Sequence, residues 1–207
     1  INYIRQNTGI REVILTGGDP LTLSNRRLGD LFKALGEIPH LDIIRLHTRA
    51  PMVTPERMDD ELCDLIRAQE KAIYMVIHAN HAQEINQAVK DAFFRLSRSG
   101  AVLLSQSVLL KDINDKAKIL EDLFRTLVAN RVKPYYLHHC DLAPGTHHFR
   151  TTIAEGQAIM AALRGRLSGT ALPTYVLDIP GGHGKVPIGP GYLEPDGDHW
   201  TVTDPNG

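Results

Sequence analysis

Cysteine is scarce. The 207 residues contain two, Cys63 and Cys140, far apart and in no CxxC arrangement. That excludes a disulfide framework, and a cytoplasmic compartment is the expectation. Long apolar runs are missing as well. None approaches the roughly 20 residues of a membrane span, and the N-terminal stretch has no signal-peptide pattern. Neither sign of charge prevails: 23 Lys and Arg stand against 24 Asp and Glu, for a net charge of −1. No basic nucleic-acid surface is expected. What remains is ordinary globular composition, 43% apolar and 23% charged, enough for a substantial core.

An initiator Met is also lacking. "INYIRQNTGIREVILTGG" enters at what reads as the end of a helix just before a strand, and the closing "TVTDPNG" is equally abrupt. The expectation is a piece of a longer protein.

Apolar, β-branched runs alternate with amphipathic segments. Candidate strands are "EVILTGG", "LDIIRLHTR", "AIYMVIHAN", "AVLLSQSVL", "VKPYYLHHCD" and "TYVLDIPGG". The helix candidates between them include "SNRRLGDLFKALGEI", capped by Ser24, and "TPERMDDELCDLIRAQ", with Thr54 as cap and Pro55 at the first helical position. In "NDKAKILEDLFRTLVANR" the apolar residues Leu120, Leu123, Phe124 and Leu127 recur at three and four. The first five strands begin about 30 residues apart, the length of one βα unit. Such alternation predicts an α/β fold with parallel strands, open or closed into a barrel. The tail "GYLEPDGDHWTVTDP" predicts a small C-terminal β-hairpin around Pro195, Asp196 and Gly197.

The strand endings favour a barrel or partial barrel. They carry Gly17, Gly18 and Asp19; His47 and Arg49; His78 and His81; Gln106; His138, His139 and Asp141; and Asp178. In a βα barrel these edges converge on one mouth, whereas an open sheet needs polar ends only at its switch point. Loop-bound strand ends would supply Ser, Asn and Asp, but not five His and an Arg.

Beyond the last of these strands lies "DIPGGHGKVPIGPG", with a lysine among glycines. A phosphate-binding P-loop would need Ser or Thr and then a helix after Lys185, and Val186 and Pro187 follow instead. Glycines on both sides let the backbone approach a bulky aromatic cofactor. A lysine kept partly neutral is a nucleophile toward an aldehyde. A Schiff base to pyridoxal phosphate fits.

The set "LTGGDPL", "LHTRAPMVTPERM", "SQSVLLKDIND", "PYYLHHCDLAPGTHHFR" and "YVLDIPGGHGKVP" resembles the lysine 2,3-aminomutase family of radical S-adenosylmethionine enzymes. The likeness runs over essentially the whole chain, with the motifs in the family's order. It implies a partial (β/α) barrel of radical SAM type over residues 1–180, with the lysine loop and hairpin extension at 181–207. It implies three cofactors: pyridoxal phosphate, S-adenosylmethionine and a 4Fe-4S cluster. The activity implied is conversion of L-lysine to β-lysine by 1,2-amino migration on the pyridoxal cofactor.

Carried over by motif, Lys185 resembles the lysine that holds pyridoxal phosphate. Gly17, Gly18 and Asp19 match the turn whose edge contacts the methionine amino group. Asp141 and Asp178 match two acids that bind the distal ammonium of substrate lysine. Independently, two carboxylates aimed into a closed site are costly unless a cation lies between them. His47 and Arg49 could take cofactor phosphate or carboxylate, while His78 and Gln106 would line the S-adenosylmethionine cleft. The family's cluster motif CxxxCxxC is absent here and is expected upstream of Ile1, so no metal ligand is assigned and these residues alone should perform no turnover. A flavodoxin- or ferredoxin-type reductant and a homo-oligomer are the implied partners.

Three alternatives stay open. His78, His81, His138 and His139 could make a zinc or di-metal hydrolase on the same barrel. The chain could be a relative that binds the pyridoxal cofactor without radical chemistry. It could also be the related lysine mutase that serves elongation factor P modification, although "PGGHGK" leans toward the free-lysine enzyme.

Overall fold

Each β-branched run forms a strand, and each amphipathic segment between strands contains a helix. The computed structural model describes residues 1–204, so 205–207 of the expected extension lie outside the described residues. Two compact units divide the chain. The first comprises Ile1–Ala79, Gln83–Ser105 and Asn130–Val132, and the second Asn80–Ala82, Gln106–Ala129 and the chain from Lys133.

The first unit contains α1 (Asn2–Gln6), β1 (Glu12–Leu15), α2 (Asn25–Gly36), β2 (Ile43–Thr48), α3 (Ala50–Val53), α4 (Asp60–Arg67), β3 (Ala72–His78) and α5 (Gln87–Arg98). It also holds the start of β4 (Val102–Val108). Its sheet order is β1-β2-β3-β4. β1, β2 and β3 are parallel, with Glu12 opposite Ile43 and Ile43 opposite Ala72. Ser24 caps α2 by accepting from the Arg27 amide at 3.4 Å, which leaves Leu28, Phe32 and Leu35 on one buried stripe. They pack in a core with Ile44, Leu46, Met75 and Phe93. Thr54 and Pro55 begin a short 3-10 turn, and α4 starts later, capped by Asp59, whose carboxylate accepts from the Leu62 amide at 2.8 Å. The expected helix is thus split, because Asp59 followed by two acids in the first turn is the stronger start signal.

The second unit takes the end of β4, then α6 (Ala117–Ala129), β5 (Lys133–His138), α7 (Ile153–Leu163), β6 (Thr174–Asp178), β7 (Lys185–Pro187), β8 (Leu193–Asp196) and β9 (His199–Val202). Here the sheet order is β4-β5-β6-β7. β5 and β6 are parallel, with Leu137 opposite Tyr175. The apolar stripe of α6 packs with Leu137, Leu163 and Val176 in a second core. The fully buried Asn114 accepts from the Leu110 amide at 2.7 Å and donates to the carbonyls of Asn80 and Val108 at 2.9 Å. The α/β class, the parallel pairing and the terminal β8–β9 hairpin, turning at Gly197, are as the sequence predicts.

One strand is new. β7 runs antiparallel to β6 and carries Lys185. The reversal needs three left-handed backbone positions, Gly181, Gly182 and Gly184, with φ of 87°, 81° and 93°. The Ile179 amide closes the turn on the Gly184 carbonyl at 2.9 Å. The glycines around the lysine therefore serve a chain reversal that sets Lys185 directly opposite Asp178.

Candidate active site

That register brings two of the candidate residues together. Lys185 Nζ donates to Asp178 Oδ1, and His138 Nδ1 lies 2.8 Å from the other oxygen. A carboxylate only accepts, so His138 carries its proton on Nδ1. Its Nε2 is buried with no hydrogen-bond partner among the described residues. Burial alone would raise the Asp178 carboxyl, but hydrogen bonds from Lys185 and His138, with their charges, hold it below its ordinary value.

Beside this trio lies a cavity of about 530 Å³ lined by Asp178, Asp141, His139 and Cys140, with apolar residues such as Leu177 and Ile153 completing the wall. Asp141 is exposed, and its backbone carbonyl accepts from Thr146 Oγ1 at 3.2 Å and from the Cys140 thiol at 3.8 Å. Its charge acts on the neighbouring His139. His139 is joined to the buried Tyr175 by a 2.7 Å hydrogen bond between Nδ1 and the phenol. A Cβ at Gly182 or Gly184 would meet nothing within 4 Å, so the face of the turn before Lys185 is open.

The first unit holds a second cluster. The Asp19 carboxylate accepts from Thr48 Oγ1 at 2.7 Å, from the Arg49 and Ala50 amides at 2.7 and 3.1 Å, and from the Leu21 amide at 3.0 Å. It is a hub that ties the loop after β1 to the end of β2, which leaves the exposed backbone of Gly17 and Gly18 as that loop's free edge. The Arg49 guanidinium pairs with Glu84 at 2.9 Å, so an anion binding Arg49 must displace that carboxylate. His47 and His78 are half-buried at or near the ends of β2 and β3. Gln106 is half-buried on β4 in the second unit.

A family model described as lysine-2,3-aminomutase matches residues 160–203, the stretch that contains Asp178, the glycine turn and Lys185. An L-lysine 2,3-aminomutase of Fusobacterium nucleatum subsp. nucleatum is 41% identical over 202 residues, which cover 98% of this chain and 47% of that protein. One from Methanococcus maripaludis is 42% identical over 193 residues, covering 93% and 44%. A glutamate 2,3-aminomutase of Clostridioides difficile is 41% identical over 202 residues, covering 98% and 48%. The chain belongs to the lysine 2,3-aminomutase family. It spans about half the length of these relatives.

Among the described residues no group of three His, Cys, Asp or Glu comes together as a metal site. No helix of the described residues is long and apolar enough to cross a membrane. Sequence reasoning left four site neighbours unassigned. His138 and His139 stood out as strand-end histidines, but their partners lie 40 and 36 residues away. Tyr175 and Thr48 looked like ordinary strand residues. Only the register between strands reveals them.

The Asp19 hub carries a stability prediction. Asp19→Ala takes the acceptor from the Arg49 amide and leaves the Ala50 amide with Thr48 Oγ1 alone, and it is expected to cost about 2 kcal/mol. The check is the denaturant midpoint, which should fall with little change in slope.

Proposed function

We propose that this chain is the pyridoxal-lysine half of an amino acid 2,3-aminomutase that acts on L-lysine. The observation that carries the reading is the pairing of Lys185 with Asp178 at the edge of a cavity that holds a second carboxylate, Asp141. Lys185 is the amine that would hold pyridoxal phosphate, and the open glycine face beside it suits a planar ring. When bound, that cofactor supplies an aldehyde for the amine and a π-system that spreads an unpaired electron while the amino group moves. The chain's own residues bind, orient and balance charge around it.

Substrate choice follows from the wall of the cavity. Its lining contains two carboxylates and neither arginine nor lysine. A second carboxylate, on glutamate, would be repelled there, whereas the ammonium of a lysine side chain would be matched. Among the relatives named above both substrates occur, and the paired acids favour lysine for this chain. In the first unit, the loop at Gly17 and Gly18, with His47, Arg49 and His78, is assigned to S-adenosylmethionine and cofactor anions; in the second, Gln106 is assigned to S-adenosylmethionine. The iron–sulfur cluster is assigned to ligands upstream of Ile1, with reduction by a flavodoxin- or ferredoxin-type protein. Residues 181–207 act as the lysine loop and its hairpin extension.

The test uses the intact protein loaded with pyridoxal phosphate, trapped with borohydride and mapped by mass spectrometry. Label on the peptide containing Lys185, with β-lysine formed from L-lysine and no product from glutamate, is the expected result. Label elsewhere refutes the assignment.

Asp178→Asn is expected to raise KM for lysine by about tenfold or more, equivalent to ~1.4 kcal/mol, with a smaller change in kcat. It should also alter acid stability. Because the folded carboxyl lies below its unfolded value, its contribution is complete above the ordinary carboxylate range and disappears as pH falls through the folded value. Denaturation midpoints measured against pH should lose part of that acid-side slope in the variant.

A further inference from the structure

We propose that His139 is a neutral hydrogen-bond donor built into the cavity wall, its proton fixed on Nε2 by Tyr175, and that it takes an anionic oxygen of the bound ligand. The ligand half of this inference rests on the aminomutase reading; the donor half rests on geometry alone.

Tyr175 is 2% exposed. A buried phenol must place its proton, and the hydrogen bond made by its oxygen runs to His139 Nδ1 at 2.7 Å. If Nδ1 were the donor, the phenol proton would be stranded in the core. Tyr175 therefore donates, Nδ1 accepts, and a neutral imidazole must hold its proton on Nε2. The acid–base setting agrees. Burial pushes the Tyr175 phenol up to about 12, so it keeps its proton. Burial lowers His139, and the nearby Asp141 charge opposes this only in part.

Three elements hold the pair. The His139 amide donates to the Val176 carbonyl at 2.8 Å, which fixes its backbone against β6. The two rings meet edge to face, with centroids 6.1 Å apart. On the far side, α7 presents Gly156, where any Cβ would overlap the Tyr175 hydroxyl and ring. Such a fixed ring does more than fill space, since His139 also lines the cavity. Of the lining side chains, only His139 and the Cys140 thiol can donate a hydrogen bond, and the thiol is a weak donor directed at the Asp141 carbonyl at 3.8 Å. The two carboxylates accept. His139 is thus the side chain able to recognise an acceptor, and the chemistry that suits it is an anionic oxygen, from either an amino acid carboxylate or a cofactor phosphate.

The experiment is nitrogen-15 spectroscopy of the histidine-labelled intact protein, with His139 identified by its loss in His139→Gln. The wild type should show a bare Nδ1 and a protonated Nε2, and Tyr175→Phe should release that tautomer into exchange. L-lysine and pyridoxal phosphate, added separately, distinguish the two oxygen sources: whichever shifts Nε2 is the ligand recognised. His139→Ala should weaken that ligand about tenfold, the worth of one hydrogen bond. His139→Gln, whose amide nitrogen can stand where Nε2 stands, should restore it. A proton on Nδ1 in the wild type, an unchanged tautomer in Tyr175→Phe, or binding of both ligands without a shift at Nε2 would overturn the proposal. Failure of both ligands to bind the wild type would instead sink the aminomutase reading, and the tautomer measurement would still decide the donor.

Discussion

Lys185→Ala in the intact protein is expected to abolish covalent capture of pyridoxal phosphate and to lower turnover by about 10³-fold or more, the scale on which loss of a covalent group registers. The visible absorbance of the loaded protein and the borohydride label should vanish together. The reason is positional. β7 sets Lys185 against Asp178 in a two-strand register, and the lining of the adjoining cavity contains no lysine that could replace it. Lys185→Arg keeps the cation beside Asp178 and should preserve the fold, because the ion pair survives, yet it cannot form the covalent link. Loss of activity in Lys185→Arg with an unchanged melting temperature would separate chemistry from structure. A variant that still turns over at the wild-type rate would remove Lys185 from the mechanism.

The second large effect is on stability. Gly156→Ala is expected to cost about 3 kcal/mol, at the upper end of what overpacking a core produces. α7 approaches β6 so closely that the added methyl would overlap Tyr175. Neither side can yield easily: the capping box of Thr152 and Glu155 sets the start of α7, and Tyr175 is pinned by its hydrogen bond to His139. In a Tyr175→Leu background the same substitution should cost much less. Thermal or denaturant unfolding of the four proteins in that cycle measures the coupling. Equal costs in both backgrounds would show that the contact is not the cause.

The elements that report burial were legible in the sequence. Leu120, Leu123, Phe124 and Leu127 form a helical stripe because one face of α6 is buried, and the alternation in β2 follows the two faces of its sheet. Where two start signals competed, at Thr54–Pro55 and Asp59–Asp60, spacing alone did not rank them. The structure gives the first a 3-10 turn and the second the helix. β7 was illegible because its three residues are exposed and carry no pattern. Only the left-handed glycines before it imply a reversal. The resemblance singled out Lys185, Asp178 and Asp141. Contacts such as His138 to Asp178 and Tyr175 to His139 depend on strand register, which no local window encodes. The Asp19 carboxylate likewise accepts from the amides of Arg49 and Ala50, some 30 residues away in the chain.

On the aminomutase reading, the Asp178 trio also bears on the order of loading. While Lys185 is a free ammonium, it occupies the cationic place beside Oδ1. On the aminomutase reading, a Lys185 nitrogen joined to a carbonyl partner would no longer place an ammonium against that oxygen. His138 already donates from Nδ1 to the other carboxylate oxygen, which leaves Oδ1 to the cation at the Lys185 position. On the same reading, the ammonium of an incoming diamine would take that place beside Asp178, once the protein's own amine is engaged.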